Sequence, residues 1–521
     1  MHNTRPASKL ASAPRRVLEL GFAATALLLA TPSSAQRAAG RPAEPAPAAP
    51  APASTAAPSA APSATEAPPV GPTVVPSLAT DPLADALRPT PGGLDPQKVA
   101  EQAVRSSHSV AAKQAELRSA AAKVDQAFVA YFPIVSTSFS YTRLSNVDNS
   151  LDLGINVPGM DTSFSFPVIL NSYSFDAQLA VPFSDYLLRL TQAHAAASAG
   201  AEAKRLEARA AALQTAADAK VAFLNWIRAK GNRAVAELAV EQTRGHLKDA
   251  KVTVEAQLLS KADYLRLVSA LAQTEQLAAS LKNFESVAEA QVRLAVHLDP
   301  DKPLTMGINV LNLPSSLETR PLPELQRLAL EQRVELKALD AGKRAAEQAE
   351  WLAFAGYFPR LDGFAQFTYA NPNQRVFASA EPKWDPTWAL GFRLSWTVNE
   401  TFATLGRQAE AAGAVQAIEE QNQALRYGIQ LVVAAAYQEL QTARSAITAA
   451  ERSEEAATEG LRVRREVFMA GRATSTDIVD AETELTRARL SRVNAHVDVL
   501  VAEAKLAYAV GTDVIRPDSA P

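Results

Sequence analysis

The sequence predicts a mainly α-helical protein with a membrane β-barrel portion. Long helical hairpins are expected to form an α-barrel, and each chain is expected to supply four strands to a twelve-stranded trimeric barrel. Three observations predict this fold: an internal duplication, four short segments with alternating apolar residues, and two helical segments of about 70 residues.

The N-terminal part of the chain carries signals for export rather than for folding. Four basic residues within the first 16 positions precede an apolar stretch over 21–30, and the small residues 33–35 suit signal peptidase. We therefore expect a cleaved signal peptide over 1–35, with a short membrane anchor as the alternative. Residues 36–93 are rich in Pro, Ala, Ser and Thr, and such a composition predicts a disordered segment.

The body of the chain is duplicated. The triplet Tyr131-Phe132-Pro133 recurs as Tyr357-Phe358-Pro359, and the surrounding Ala, Arg and Leu positions align with it. Each copy is predicted to run helix, strand, strand, very long helix, turn and helix. This divides the body into a first repeat, 94–310, and a second repeat, 311–512, followed by a C-terminal tail, 513–521.

The helices of the two copies are predicted from composition and spacing. Segments 96–131 and 321–356 are rich in good helix formers and stop at Tyr-Phe-Pro, because proline disfavours helical geometry in the residue before it. Segments 185–254 and 400–470 contain few strong breakers and step their apolar residues by three and four, as coiled coils do. At 1.5 Å per residue each of these would reach about 100 Å.

Four segments alternate in the manner of strands: 134–145, 173–183, 360–370 and 387–398. Large apolar side chains fall on one face and polar ones on the other, at a length of about 9–11 residues that suits a tilted membrane-spanning strand. A half-buried sheet in a soluble sandwich is the alternative, since it alternates in the same way. In the membrane interpretation the lipid-facing residues are Trp388, Leu390, Phe392, Leu394, Trp396, Phe175 and Leu179.

Four strands cannot close a barrel, and open sheet edges are not tolerated in lipid. Two copies would give eight strands, which side chains fill, whereas three copies would give twelve strands around a lumen. The sequence therefore favours a homotrimer in the bacterial outer membrane. Segments 146–172 and 371–386 would then be outer loops, and the helices would extend into the periplasm.

The duplicated Tyr-Phe-Pro junctions, the segment Gly471-Arg-Ala-Thr-Ser-Thr-Asp-Ile-Val-Asp-Ala and the ending Leu506-Ala-Tyr-Ala-Val-Gly511 resemble the TolC-like outer-membrane efflux protein family. The resemblance extends from about residue 95 to 512. It implies the outer-membrane channel of a tripartite efflux pump or type I secretion system, a passive duct that docks a periplasmic adaptor (membrane fusion protein) and an inner-membrane transporter. The alternative is a periplasmic adaptor or structural coiled-coil protein without a pore.

Candidate functional residues lie where the hairpins turn back. Asp263 and Asp477 each stand three residues after a Ser or Thr, which resembles a capping box and alone gives them a structural role. In a threefold assembly, Asp477 and Asp480 would form two carboxylate rings on one helix face, and such rings favour cations.

The resemblance matches Asp477 and Asp480 with the paired Asp of the family's pore constriction, and Asp263 with a gate residue. The family places an Arg two residues after the Gly, where this sequence has Ala473. This departure puts in doubt a gate closed by an Arg–Asp pair. The expected adaptor-docking tips are Leu258, Leu259, Ser260, Gly471, Arg472 and Thr474.

The composition excludes several function classes. The absence of cysteine excludes disulfides, thiolate metal sites and a lipid anchor on an N-terminal cysteine, and a net charge of -3 gives no indication of nucleic-acid binding. The six histidines show no metal-ligand spacing, and there is neither a phosphate-binding Gly-rich loop nor a Gly-x-Ser-x-Gly motif. We therefore expect no enzyme activity, no cofactor and no metal, and the exported substrate is not predicted.

Overall fold

The computed structural model describes residues 85–146, 150–152, 163–165, 169–257, 259–299, 302–310, 320–373, 375, 383–470 and 472–512. The predicted signal peptide, most of the predicted disordered segment and the C-terminal tail lie outside the described residues, as do Leu258 and Gly471 among the expected docking tips.

The first copy contains five helices and four strands within these ranges. In chain order they are α1 Pro96–Ser106, α2 His108–Val129, β1 Ile134–Arg143, β2 Ser150–Asp152, β3 Ser163–Ser165, β4 Asn171–Val181, α3 Phe183–Leu188, α4 Leu190–Glu255 and α5 Lys261–Val296.

In its described residues, the second copy repeats this order without the β2–β3 hairpin and without a separate short helix before its longest helix. Its elements are α6 Leu322–Gln332, α7 Val334–Phe354, a short 3-10 turn Ala355–Tyr357, β5 Arg360–Asn371, β6 Asp385–Ser395, α8 Val398–Met469 and α9 Ser475–Val510.

Three helices expected to be continuous are broken. Segments 96–131 and 321–356 are interrupted at Ser107 and Arg333, which are separated by the same interval as Tyr131 and Tyr357. The extended Ser107 accepts a hydrogen bond from the Val110 N–H and so caps a new helix. The helix expected from 185 is likewise divided at Arg189 into α3 and α4. The shared break positions support the duplication.

Arg333 has a further role that the sequence did not indicate. Its guanidinium donates to the carbonyls of Tyr508 and Ala509 at 3.2 and 3.3 Å and lies over the Tyr508 ring. These carbonyls belong to the last turn of α9, which has no continuing helix to satisfy them. The break between α6 and α7 therefore fixes the end of the last helix.

The four main strands form one antiparallel sheet in the order β1-β4-β5-β6. Their register pairs Phe139 with Phe175, Phe175 with Tyr369, and Phe367 with Trp388. Directly paired residues share a face, so the alternating apolar side chains of all four strands meet on one side, here called the apolar face. The observed strands agree with the predicted segments to within three residues at either end.

The apolar face is uncovered in the chain. Trp388, Leu390 and Phe392 are each 75% exposed, and Phe175 and Leu179 on the central strand β4 are each 39% exposed. A half-buried sheet in a soluble sandwich would bury such a face against a second layer. In the described chain no second layer covers this face. That alternative is therefore not supported.

The core lies instead between the long helices, of which α4 has 66 residues and α8 has 72. A main cluster around Phe223, Trp226 and Ile227 packs against Val493 and Val497 of α9. Along the buried side of α8, four alanines repeat every seven residues, Ala436, Ala443, Ala450 and Ala457. Among the described helices, none has an apolar stretch sufficient to cross a membrane.

Candidate functional site at the hairpin tips

The two hairpins, α4–α5 and α8–α9, turn back at tips where each returning helix begins with a hydroxyl cap. At the first tip the Ser260 hydroxyl accepts from the Asp263 N–H at 3.1 Å. At the second tip Thr474 and Asp477 form a complete capping box. The capping pattern predicted from the two Ser/Thr-x-x-Asp motifs is therefore present at both tips.

Asp263 joins the two hairpins. Its carboxylate accepts from the hydroxyls of Ser260 and Ser475, both at 2.6 Å, and Ser475 is the fully buried first residue of α9. These two hydrogen bonds stabilise the charged form and hold the pKa of Asp263 below its ordinary value. The sequence suggested a gate role by resemblance, and the geometry adds a bond between hairpins.

The side chain of Asp477 turns back to Thr474, the N-cap residue of α9. Its carboxylate accepts from the Thr474 hydroxyl and the Thr474 N–H, both at 2.7 Å, and these bonds lower its pKa. The nearby cation is Arg464 of α8, whose guanidinium donates to the Asp477 carbonyl at 3.4 Å. Arg464 of α8 thus supplies a positive charge at this tip. The position that holds an Arg in the resembled family is Ala473 in this sequence.

Asp480 follows Asp477 by nearly one helical turn and is exposed. The expected docking residues that are described lie at the surface: Leu259 is half-buried, and Ser260, Arg472 and Thr474 are exposed. The predicted constriction residues therefore fall into two groups, two capping carboxylates and one exposed carboxylate.

Further side-chain bonds join the hairpins near the tips, and the sequence did not single them out. Arg266 of α5 donates to the Thr476 hydroxyl of α9, and Arg465 of α8 pairs with Asp249 of α4 at 3.6 Å. Each bond pairs residues more than 200 positions apart, so only the packed fold identifies them.

A buried carboxylate lies about two helical turns past the second tip. Glu482 of α9 is 8% exposed and contacts both His246 and Thr243 of α4, with the Thr243 hydroxyl donating at 3.0 Å. It is a polar contact between the first and the last of the long helices. In the part of the chain that the structure describes, no group of three or more His, Asp or Glu side chains is placed to hold a metal ion.

The sheet has a polar face opposite its apolar face. Asp176 of β4 accepts from the Thr368 hydroxyl at 2.6 Å and the Ser174 hydroxyl at 2.9 Å. These residues line a concave space of about 340 Å³ together with Gln366 and Arg375. The alternation in the sequence predicted a polar face. The hydrogen bond between Thr368 and Asp176 could not be predicted in the same way, because it depends on the register of two strands.

Residues 325–512 match the family model described as "Outer membrane efflux protein". No curated protein matches the chain by sequence.

Several solved structures share the fold. The outer-membrane channel OprN is 18% identical with a TM-score of 0.67, and the match covers 80% of this chain and 91% of that one. The CmeC outer membrane channel of Campylobacter jejuni is 14% identical with a TM-score of 0.68, covering 80% and 85%. The open state of the MtrE outer membrane channel of Neisseria gonorrhoeae is 15% identical with a TM-score of 0.65, covering 80% and 88%.

At these identities the structural likeness establishes the fold. It confirms the predicted class, a mainly α chain with long helical hairpins and four antiparallel strands. The matched family and the similar structures are channel proteins rather than enzymes, and they favour a channel over the periplasmic adaptor considered as the alternative.

Proposed function

We propose that the chain is a member of the TolC-like outer-membrane efflux protein family and that it works as a homotrimer whose twelve strands close one barrel. It is an outer-membrane efflux channel that extends into the periplasm. We also propose that it has no catalytic activity of its own.

The observation that supports a trimer is the open sheet, with its two unpaired edges and its exposed apolar face. Its edge strands β1 and β6 have no partner within the described chain, while its apolar face is exposed along the full length of β6. In lipid, unpaired strand edges are costly, so β6 of one chain is expected to pair with β1 of the next. Three copies then enclose a lumen lined by the polar face with Asp176 and Thr368.

The lipid-facing assignment follows from the same face. Trp388, Leu390 and Phe392, with Leu394, Trp396, Phe175 and Leu179, would contact hydrocarbon, because aromatic and branched apolar side chains at alternate positions suit the outside of a membrane barrel. Outer-membrane lipid is therefore a proposed partner of this chain.

The tips would receive a periplasmic adaptor, which in turn joins an inner-membrane transporter. Leu259, Ser260, Arg472 and Thr474 are accessible there, and Leu258 and Gly471, which are outside the described residues, complete the proposed docking set. Exposed polar groups next to one apolar side chain suit an interface that forms and dissociates.

We place the constriction at Asp263, Asp477 and Asp480. The exposed Asp480 would form the ring that attracts cations, since its carboxylate faces solvent. Asp263 and Asp477 would hold the tips together, because each carboxylate is already bonded to hydroxyl donors. Opening would therefore separate Asp263 from Ser475.

A planar-bilayer experiment on the purified protein tests the proposal. We expect a detergent-solubilised trimer that inserts into lipid, conducts ions in discrete steps and shows heat-modifiable migration. Protein that is released from cells by osmotic shock as a monomer and leaves bilayers silent would contradict the trimeric duct.

A further inference from the structure

The polar face of the sheet carries a single aromatic side chain among the residues of its four main strands, Phe364 of β5. Phe364 is paired with Gly391 of β6, and a Cβ added to Gly391 would lie only 3.1 Å from the Phe364 ring. The ring therefore covers the backbone of this glycine, as an aromatic side chain beside a strand glycine can do. This contact fixes the position of Phe364 on a face lined mainly by small and polar side chains.

Arg393 lies over the Phe364 ring. It follows Gly391 by two residues on the same face of β6, and the central carbon of its guanidinium is 5.4 Å from the ring centroid. The negative face of an aromatic ring attracts a cation at this distance. A long and exposed side chain is therefore held near the end of the sheet where β4 and β6 lead into α3 and α8, here called the helix end.

The guanidinium of Arg393 has no carboxylate partner in the part of the chain that the structure describes. Directly opposite it in the sheet is Asp362 of β5, whose carboxylate is bound instead to Arg360 at 3.2 Å. Arg360 also pairs with Asp185 of α3 at 3.0 Å. Arg360 thus engages both neighbouring acids, and the charge of Arg393 is not neutralised by an ion pair.

The remaining charged side chains of the polar face have polar partners. Asp176 accepts from two hydroxyls, and Asp385 lies 3.8 Å from the ammonium of Lys383. Arg393 differs from them because its contact is with an aromatic ring, which leaves its N–H groups without an acceptor among the described residues. These donors are therefore available to a solute on this face.

Closure of the proposed barrel brings no acid to Arg393 from the adjoining strand. β6 is an edge strand, and the strand expected beside it is β1 of the next chain. On its polar face β1 carries Ile134 and four hydroxyl side chains, at positions 136, 138, 140 and 142. In a threefold assembly Arg393 then recurs three times at one height around the lumen.

We propose that three Arg393 side chains, here called the basic ring, bind the oxyanion groups of solutes that pass through the helix end of the barrel lumen. Carboxylate, phosphate and sulfonate groups all suit the planar set of donors on a guanidinium. The inference rests on the proposed trimeric barrel. A solute would meet carboxylates at the tips and guanidiniums at the basic ring, so the two ends of the duct would discriminate between charges in opposite senses.

Cysteine modification tests the basic ring, because the native chain contains no cysteine and one introduced thiol is the only target. Ser395→Cys places this thiol two residues after Arg393 on the polar face, and Gln366→Cys places it on the same face about 13 Å from Arg393 along the sheet. The full-length trimer is reconstituted into lipid vesicles in about 0.1 M salt.

The measured quantity is the ratio of the modification rates by two methanethiosulfonates, an anionic sulfonatoethyl reagent and a cationic trimethylammonioethyl reagent. A change in the ionisation of the thiol alters both rates alike, so the ratio reports the attraction of the sulfonate. We expect Arg393→Gln to lower the ratio at Ser395→Cys by about threefold or more, because one positive charge is lost within about 7 Å of the thiol. Arg393→Lys keeps the charge and should keep the ratio.

Gln366→Cys is the matched control for distance. It lies beyond one Debye length of Arg393 at this salt concentration, so Arg393→Gln should leave its ratio nearly unchanged. An equal fall at Gln366→Cys, or the same low ratio in Arg393→Lys as in Arg393→Gln, would contradict a site at Arg393. A Ser395→Cys thiol that neither reagent reaches would contradict its position in the lumen.

Leu390→Cys on the apolar face distinguishes a failure of the basic ring from a failure of the barrel. If Ser395→Cys is modified, Leu390→Cys is protected and Arg393→Gln leaves the ratio unchanged, the basic ring is wrong and the membrane barrel stands. If Leu390→Cys reacts as fast as Ser395→Cys, the strands are not in lipid, and the proposed barrel fails together with the basic ring.

Discussion

At the sheet end of the molecule, neighbouring segments are joined by continuous backbone ladders, whereas at the tip end they are joined by single side-chain bonds. The β4–β5 and β5–β6 pairings run over nine and eleven residues. The bond between hairpins through Asp263 depends on one serine hydroxyl. If the tips form the proposed constriction, the sheet end would keep its shape while the tips separate.

The two ends also expose opposite surfaces. The sheet presents Trp388 and Leu390 to its surroundings, and the tips present Ser260, Arg472 and Asp480. An apolar surface suits lipid and a polar surface suits water or a reversible partner. Four predictions follow from this contrast, each designed to alter one end without the other.

The largest effect is expected from a charge on the apolar face. Leu390→Arg should abolish assembly in the outer membrane, because an arginine at the middle of the lipid face costs about 2–4 kcal/mol in each chain. The measurement is the fraction of protein that fractionates with outer membranes and shows heat-modifiable migration.

The neighbouring residue provides a matched control. Ala389 lines the polar face, so Ala389→Arg introduces the same charge on the same strand toward the lumen. It should assemble normally and change only conductance. Equal loss of assembly in both variants would contradict the assignment of the two faces.

The next effect concerns the bond between hairpins. Ser475→Ala removes the donor to Asp263, a hydrogen bond to a charged group that contributes about 1–3 kcal/mol. We expect a larger or more frequent open state in planar bilayers, with unchanged trimer assembly. Ser280→Ala, which removes only a hydroxyl bonded within α5, should leave conductance at the wild-type level.

A pH titration of conductance should show a smaller change. The pKa values of Asp263 and Asp477 are lowered from 3.8 by their hydroxyl and amide donors. A carboxylate with a depressed folded-state pKa contributes stability that is complete above its unfolded pKa and is lost as pH falls through its folded pKa. Conductance should therefore stay constant from about pH 7 to 5 and rise only below about pH 4.

The variant Asp263→Asn provides the comparison for this titration, because it removes one of the two titrating groups. Its conductance below pH 4 should rise less than that of the wild type. An opening transition centred near pH 6 would indicate that other groups control the tips.

The smallest effect is expected at Asp480. Asp480→Asn should reduce the preference for cations without changing assembly or open frequency, because it removes an exposed charge that forms no hydrogen bond with another side chain among the described residues. The reversal potential in a salt gradient measures this preference. The control is Asp125→Asn on α2, an exposed carboxylate outside the tips, and an unaltered reversal potential at Asp480 would remove the ring from the proposal.

Much of this architecture was predictable from the sequence because it depends on local patterns. The period of two around Trp388 defined the strands, and the Ser/Thr-x-x-Asp motifs at Asp263 and Asp477 indicated the caps. The breaks at Ser107 and Arg333 were missed, since both segments have helix-forming composition throughout and a single extended residue leaves no pattern. Their cause is partly tertiary, as the contacts of Arg333 with α9 illustrate.

The cross-hairpin contacts were beyond sequence reasoning for a different reason. Ser475 was expected only as a residue within a capping motif, yet it is the donor that joins Asp263 to the second hairpin. Glu482 is an ordinary helical glutamate by sequence and becomes a buried partner of α4 only when α9 packs against α4. The side chains that join distant segments are set by the relative position of helices, which no local pattern encodes.

The seven-residue recurrence of alanine along α8 has a mechanical consequence. A strict heptad repeat winds paired helices into a left-handed supercoil, so movement of the tips must be accompanied by a change in the winding of α8 around α9. Methyl groups at Ala436, Ala443, Ala450 and Ala457 interdigitate far less deeply than leucines would. Rotation and sliding of α8 along this seam therefore meet smaller steric barriers than they would along a seam of leucines.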